Sequence, residues 1–265
     1  MEPYDVDTNP VSWREAGEGS LILFLHGLGG TRIAWEPQLH NLSDQWRCVA
    51  WDMPGYGSSP TPTEPLTFAS LADAVIQLLD VLEVDHSVIV GLSMGGMIGL
   101  HTALNHPDRV SSLILVDSSP SFGFDGTTDA NSWINERISP LQEGRTLGEI
   151  APDVLRSITA PQTDNSVIDE AVQAMARIST SGFTAAVHCL TTHNVTNSLN
   201  RIDTPTMVIV GDQDKETPPS YSRYLADHIP NARYAEIAGA GHLSNLEAPE
   251  IFNRLMREFL TMTTV

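Results

Sequence analysis

The chain reads as an α/β protein: a mostly parallel sheet flanked by helices, with one inserted, mainly helical cap. Three observations predict this. Short, continuously apolar runs of strand length recur along the chain, helix-periodic segments alternate with them, and one long stretch interrupts the alternation. A length of 265 residues suits one large α/β domain. We therefore expect a single domain over 1–265, with a core made of 1–118 and 201–265 and a cap inserted at about 119–200.

Leu21-Ile22-Leu23-Phe24-Leu25 is apolar at every position, as a strand covered on both faces must be. Cys48–Trp51, Ser87–Val90, Leu113–Val116 and Thr206–Val210 have the same character, and Tyr234–Ala238 is a weaker strand. Between Phe68 and Leu82, the apolar residues Leu71, Ala74, Val75, Leu78, Leu79 and Leu82 recur at steps that put them on one helical face. Met94–Leu104 and Ile251–Leu260 are helical by the same pattern. From Ser118 to Arg201 the rhythm fails: over 80 residues separate two strands, whereas a parallel crossover with its helix needs about a dozen. Within that stretch Ile168–Ile178 has helical spacing, and Pro120, Gly123, Gly126, Pro140 and Gly144 punctuate the part before it.

Charge narrows the partners. With 33 acidic and 14 basic residues the formal charge is -19, a field that repels phosphate backbones and anionic membrane surfaces, so neither nucleic acid nor membrane is an expected partner. Lys215 is the only lysine and lies between Asp214 and Glu216, leaving Schiff-base chemistry a single candidate. The first residues lack the basic start and apolar run of a secretory signal, so the expected location is cytoplasmic. Cys48 and Cys189 lie far apart, which suggests neither a disulfide nor a metal site.

Four strand ends carry chemistry. Gly91-Leu92-Ser93-Met94-Gly95-Gly96 follows one apolar run and opens a helical pattern, the context of a nucleophile elbow. A serine on so sharp a turn projects its hydroxyl above the sheet, and small residues two positions to each side let the turn close. Leu25-His26-Gly27-Leu28-Gly29-Gly30 leaves another strand, with glycines that let backbone amides approach a ligand. Val210-Gly211-Asp212-Gln213-Asp214 ends a third and offers two carboxylates. Ala240-Gly241-His242-Leu243-Ser244-Asn245-Leu246-Glu247 follows the last strand and supplies a histidine in the order nucleophile, acid, base. Trp51–Ser59 is rich in glycine and proline and reads as a scaffold turn.

On these motifs the chain resembles the α/β-hydrolase superfamily over about Ser20–Leu260 outside the cap, and within it most resembles 3-oxoadipate enol-lactonases and related carboxylesterases. The resemblance implies a Ser93–His242–Asp214 triad, selecting Asp214 over Asp212, and an oxyanion hole formed by the amides of Leu28 and Met94. It implies a small-molecule ester or lactone substrate, with no organic cofactor and no metal. Leu243 stands where carbon–carbon bond hydrolases usually carry an aromatic residue, and Ser93 stands where dehalogenases of the fold carry aspartate. Carbon–carbon hydrolysis, perhydrolase or haloperoxidase-like activity, and a small-molecule receptor role are the alternatives. In the cap, Phe122, Trp133 and Ile134 are candidate substrate contacts, and Arg137, Arg145, Arg156 and Arg177 are candidate partners for a substrate carboxylate. Many relatives begin with two further strands; the first sixteen residues here are shorter and more polar, so a reduced N-terminal sheet edge is expected.

Overall fold

The apolar runs form the centre of an eight-stranded sheet in a computed structural model that describes residues 2–263. Its strands are β1 (Tyr4–Val6), β2 (Trp13–Ala16), β3 (Leu21–Leu25), β4 (Arg47–Trp51), β5 (Ser87–Leu92), β6 (Val110–Val116), β7 (Thr206–Gly211) and β8 (Arg233–Ile237). Their spatial order is β1-β2-β4-β3-β5-β6-β7-β8. Strand β2 runs antiparallel to both β1 and β4, and the other pairings are parallel.

The expected reduction of the N-terminal edge is corrected here, because both leading strands are present. Their polar residues satisfy one another, which hides the strand pattern. Glu15, largely buried, accepts hydrogen bonds from the Trp13 indole, the Tyr4 hydroxyl and Arg47. Trp13 and Ala16 meanwhile turn into the core.

The strands alternate their side chains between two apolar layers, as the period of two requires. Leu23, Leu25, Val49, Ile89 and Leu113 belong to one layer, while Ile22, Phe24, Val90 and Ile114 belong to the other. The first layer takes Leu71, Val75 and Leu78 of α2 (Phe68–Val81), Ile98 of α3 (Met94–Asn105) and Leu225 of α8 (Pro219–His228). The second takes Leu39 and Leu42 of α1 (Glu36–Leu42) with Phe252, Met256 and Phe259 of α10 (Pro249–Thr263), which follows the one-turn α9 (Ser244–Glu247). Among the described residues no helix is long and apolar enough to cross a membrane.

Between β6 and β7 lie α4 (Ala130–Gln142), α5 (Leu147–Ile158), α6 (Asn165–Ala176) and α7 (Thr180–Leu190). The stretch is stitched together at its base. Ser121 and Asn194 form an antiparallel bridge, the Phe122 amide donates to His193 O at 2.9 Å, and the Val195 amide donates to Pro120 O at 2.9 Å. His193 is buried and hydrogen-bonds His101 of α3 at 3.2 Å, so it links this base to the core.

Candidate active site

The strand order reverses at β3, which lies between β4 and β5. In open α/β sheets the crevice beyond such a switch point is where ligands bind. The ends of β3 and β5 bound it, with Leu25 in register with Gly91, so the two glycine-bearing loops emerge side by side.

Ser93 joins β5 to α3 with φ 52° and ψ -117°, a left-handed conformation that costs a non-glycine residue roughly 1–3 kcal/mol unless the surroundings impose it. They do. The Ser93 amide donates to Val116 O at 2.8 Å, and the Ser118 hydroxyl donates to Ser93 O at 2.9 Å. The flanking glycines are dictated by close approach: a Cβ on Gly91 would lie 2.2 Å from Gly95 O, and one on Gly95 would lie 2.1 Å from Leu25 O. The Ser93 hydroxyl has no hydrogen-bond partner among the described residues and borders a cavity that His242 also lines.

The His242 and Asp214 side chains meet across two loops. His242 Nδ1 lies 2.8 Å from Asp214 Oδ2, and both side chains are buried. Asp214 Oδ2 also accepts from the Thr217 hydroxyl at 2.8 Å, while Oδ1 accepts from the amides of Glu216 and Thr217 at 2.9 and 3.0 Å. A carboxylate so held keeps the imidazole proton on Nδ1 and leaves Nε2 as an acceptor. Burial would depress the His242 pKa, but the charge and hydrogen bond of Asp214, with the charges of Asp117 and Glu216, outweigh it and raise the pKa to about 9. Asp212 faces the other way, exposed, and accepts from the Gly239 amide at 2.8 Å.

The amides of Leu28 and Met94 donate to no acceptor among the described residues, and Met94 opens helix α3, where the helix dipole favours negative charge. His26 braces the Leu28 loop. It is buried, its Nδ1 donates to Gly27 O at 2.9 Å, and its Nε2 accepts from the Met53 amide at 3.0 Å.

Two cavities meet at Ser93 and His242. One is large, about 840 Å³, with Phe122, Trp133, Met175 and Phe183 among its walls and charged residues around it. The other is small, about 60 Å³, and mostly apolar, with Ile33, Ala34, Leu155, Ala174 and Leu246 on its walls. Phe122 and Trp133 pack edge to face at 5.2 Å on the large wall. Ile134 does not line either cavity, which corrects its selection as a substrate contact. Successive helical residues point about 100° apart, so with Trp133 and Arg137 on the cavity face of α4, Ile134 packs against the apolar core instead. Of the candidate arginines, Arg137 and Arg145 border the large cavity, and Arg156 and Arg177 border neither. Arg137 is pinned, stacked 3.7 Å above Trp133 and paired with Glu216 at 3.0 Å and Glu136 at 3.6 Å.

Sequence reasoning missed Asp117. It directly follows the apolar run of β6, so its position at a strand end was the available signal. It is fully buried, with Oδ1 accepting from the Gly211 amide at 2.8 Å and Oδ2 accepting from the Ser244 hydroxyl at 2.6 Å and the Ser244 amide at 3.2 Å. Burial and then the charge of Asp214 push its carboxyl up to about 8, against the pull of His242. Asp117 thereby ties the loop leading to Asp214 to the segment just after His242.

Comparison with known proteins agrees with this architecture. The chain is 28% identical to 3-oxoadipate enol-lactonase 2 of Acinetobacter baylyi over 94% of this chain and 91% of that protein. It is 28% identical to a pimeloyl-[acyl-carrier protein] methyl ester esterase of Neisseria meningitidis, over 90% of this chain and 93% of that one. The crystal structure of an enol-lactonase from Burkholderia xenovorans superposes with a TM-score of 0.87 at 25% identity, covering 97% of this chain and 100% of that one. Residues 20–249 match the alpha/beta hydrolase fold, and the chain belongs to that family.

Proposed function

We propose that this protein is a serine hydrolase that cleaves a small-molecule carboxylic ester or lactone through an acyl-enzyme on Ser93. The observation that carries the reading is the buried His242–Asp214 pair at 2.8 Å, whose His242 borders the same cavity as a serine held in a strained strand-to-helix turn. The enol-lactonase and methyl ester esterase relatives support the same class of substrate.

In this reading His242 Nε2 takes the Ser93 proton as the hydroxyl oxygen attacks the carbonyl, and Asp214 stabilises the imidazolium that results. The amides of Leu28 and Met94 receive the oxyanion, each worth about a hundred- to a thousandfold in rate. His242 then protonates the departing alkoxide or enolate, activates water, and the acid is released from Ser93. The helices between β6 and β7 act as the cap, and Phe122 and Trp133 contact substrate.

The two cavities divide the substrate at its carbonyl, a short apolar group entering the small one and a bulkier group the large one. Arg137 is already paired with two carboxylates, so a substrate carboxylate must displace them. Arg145 borders the same cavity and donates to the Glu149 carbonyl, so carboxylated lactones are tested beside neutral ones. Turnover of 4-nitrophenyl acetate and of a panel of neutral and carboxylated lactones tests the reading, with Ser93→Ala as control. Activity that survives in Ser93→Ala, or none in the wild type on any panel member, overturns it.

A further inference from the structure

The Glu247 side chain fastens the loop that carries His242 to the inserted helices. Its Oε2 accepts from the Gly241 amide at 3.0 Å and its Oε1 from the Leu243 amide at 3.0 Å, so both amides flanking His242 end on one carboxylate. The same Oε2 accepts from the Ala160 amide at 2.8 Å and the Thr163 hydroxyl at 2.6 Å, both in the turn between α5 and α6. Two further bonds follow the same seam: the His242 amide donates to Ile158 O at 2.9 Å, and the Gln162 side chain donates to Gly239 O. The backbones are in direct contact, since a Cβ on Gly241 would lie 2.5 Å from the Ala160 amide nitrogen.

We infer that Glu247 is a positioning residue that couples the inserted helices to His242, so that the α5–α6 turn is a fixed footing for the imidazole and not part of a swinging lid. The inference rests on the proposed role of His242. Its physical basis is that a carboxylate accepts at both oxygens, whereas an amide side chain accepts at only one. A glutamine at 247 keeps the shape but turns its NH2 group either toward the Leu243 amide or toward the Gly241, Ala160 and Thr163 donors. One side of the seam must then open. A displacement of about 1 Å at a reacting group can cost a hundredfold in rate.

The test uses the full chain as wild type, Glu247→Gln and the milder Thr163→Val, which deletes only the insertion-side hydroxyl. Steady-state kinetics on 4-nitrophenyl acetate are expected to show kcat lowered about a hundredfold in Glu247→Gln and several-fold in Thr163→Val, with KM changed less than about threefold. Amide hydrogen exchange is expected to accelerate together in 239–247 and 158–163, and only there. Because exchange needs no substrate, it separates this inference from the hydrolase reading: a protein without esterase activity can still show the coupled opening. Should Glu247→Gln fail to fold, Thr163→Val alone decides. Exchange that rises in one segment and not the other, or kcat within about twofold of wild type in every variant that folds, overturns the coupling.

Discussion

The strand-end loops of the core and the inserted helices face the same cavity but are built to different tolerances. At Gly91, Gly95, Gly211 and Gly241 an added Cβ would fall within 2.1 to 2.5 Å of another backbone segment. At Gly126 and Gly144, in the insertion, it would meet nothing within 4 Å. The loops that carry Ser93, Asp214 and His242 are therefore held by backbone packed on backbone. The insertion is packed backbone on backbone only where it meets the core, at Gly182 beside Gly55 O and at Ala160 beside Gly241, while the rest of it rests through amphipathic helices on an apolar layer. In the proposed reading, chemistry belongs to the first region and substrate choice to the second.

The largest effect is expected from Ser93→Ala, which should lower kcat on the order of a millionfold while leaving urea denaturation unchanged. A residual rate within a hundredfold of wild type would place the nucleophile elsewhere. Next, Gly95→Ala should cost about 3 kcal/mol of stability or prevent folding, because its methyl would lie 2.1 Å from Leu25 O and 2.8 Å from His26 O, both backbone. Gly144→Ala, with φ 92° but open space, should cost about 1–2 kcal/mol from backbone strain alone. Equal losses for the two would remove the contrast in tolerance.

A pH profile probes the core from another side. His242 must be neutral to accept a proton, and its pKa is raised to about 9, so kcat/KM of the wild type should climb about a hundredfold from pH 7 toward a plateau beyond pH 9. Asp214→Asn should move that limb toward lower pH while reducing the plateau. The linked stability runs the opposite way. A pKa raised from 6.5 stabilises the fold most below pH 6.5, and that contribution fades as the pH rises through about 9. A limb near 6.5 in the wild type would contradict the charge environment described. The smallest effect is expected from Trp133→Ala on the cavity wall, which should raise KM about tenfold with kcat nearly unchanged. A change in kcat alone would move Trp133 into the chemistry.

Several elements were legible because they obey a local period. Leu21–Leu25 announces a strand buried on both faces, and Leu71, Val75 and Leu78 announce the helix above it. The helices of the insertion start on Asp129, Thr146, Asp164 and Ser179, each accepting a hydrogen bond from an early helical amide, so their starts are written in the capping residues rather than in an apolar period. Strand β2 was hidden, since Trp13-Arg14-Glu15-Ala16 is half polar and its antiparallel pairing with β4 lies 35 or so positions away. Ile134 was misplaced because helical phase relative to a distant cavity is set by packing, not by residue type.

The central strands, the helices packed on them and the strand ends that carry a serine, two carboxylates and a histidine follow from the sequence, because local backbone preference and apolar period act within a few residues. Only the fold brings the Asp214 carboxylate, which the motif resemblance had singled out, against His242, buries Asp117 behind the pair and ties the His242 loop to the insertion through Glu247. These depend on hydrogen bonds spanning 27 to 127 positions of chain. Such contacts exist only once the sheet has brought its strand ends together.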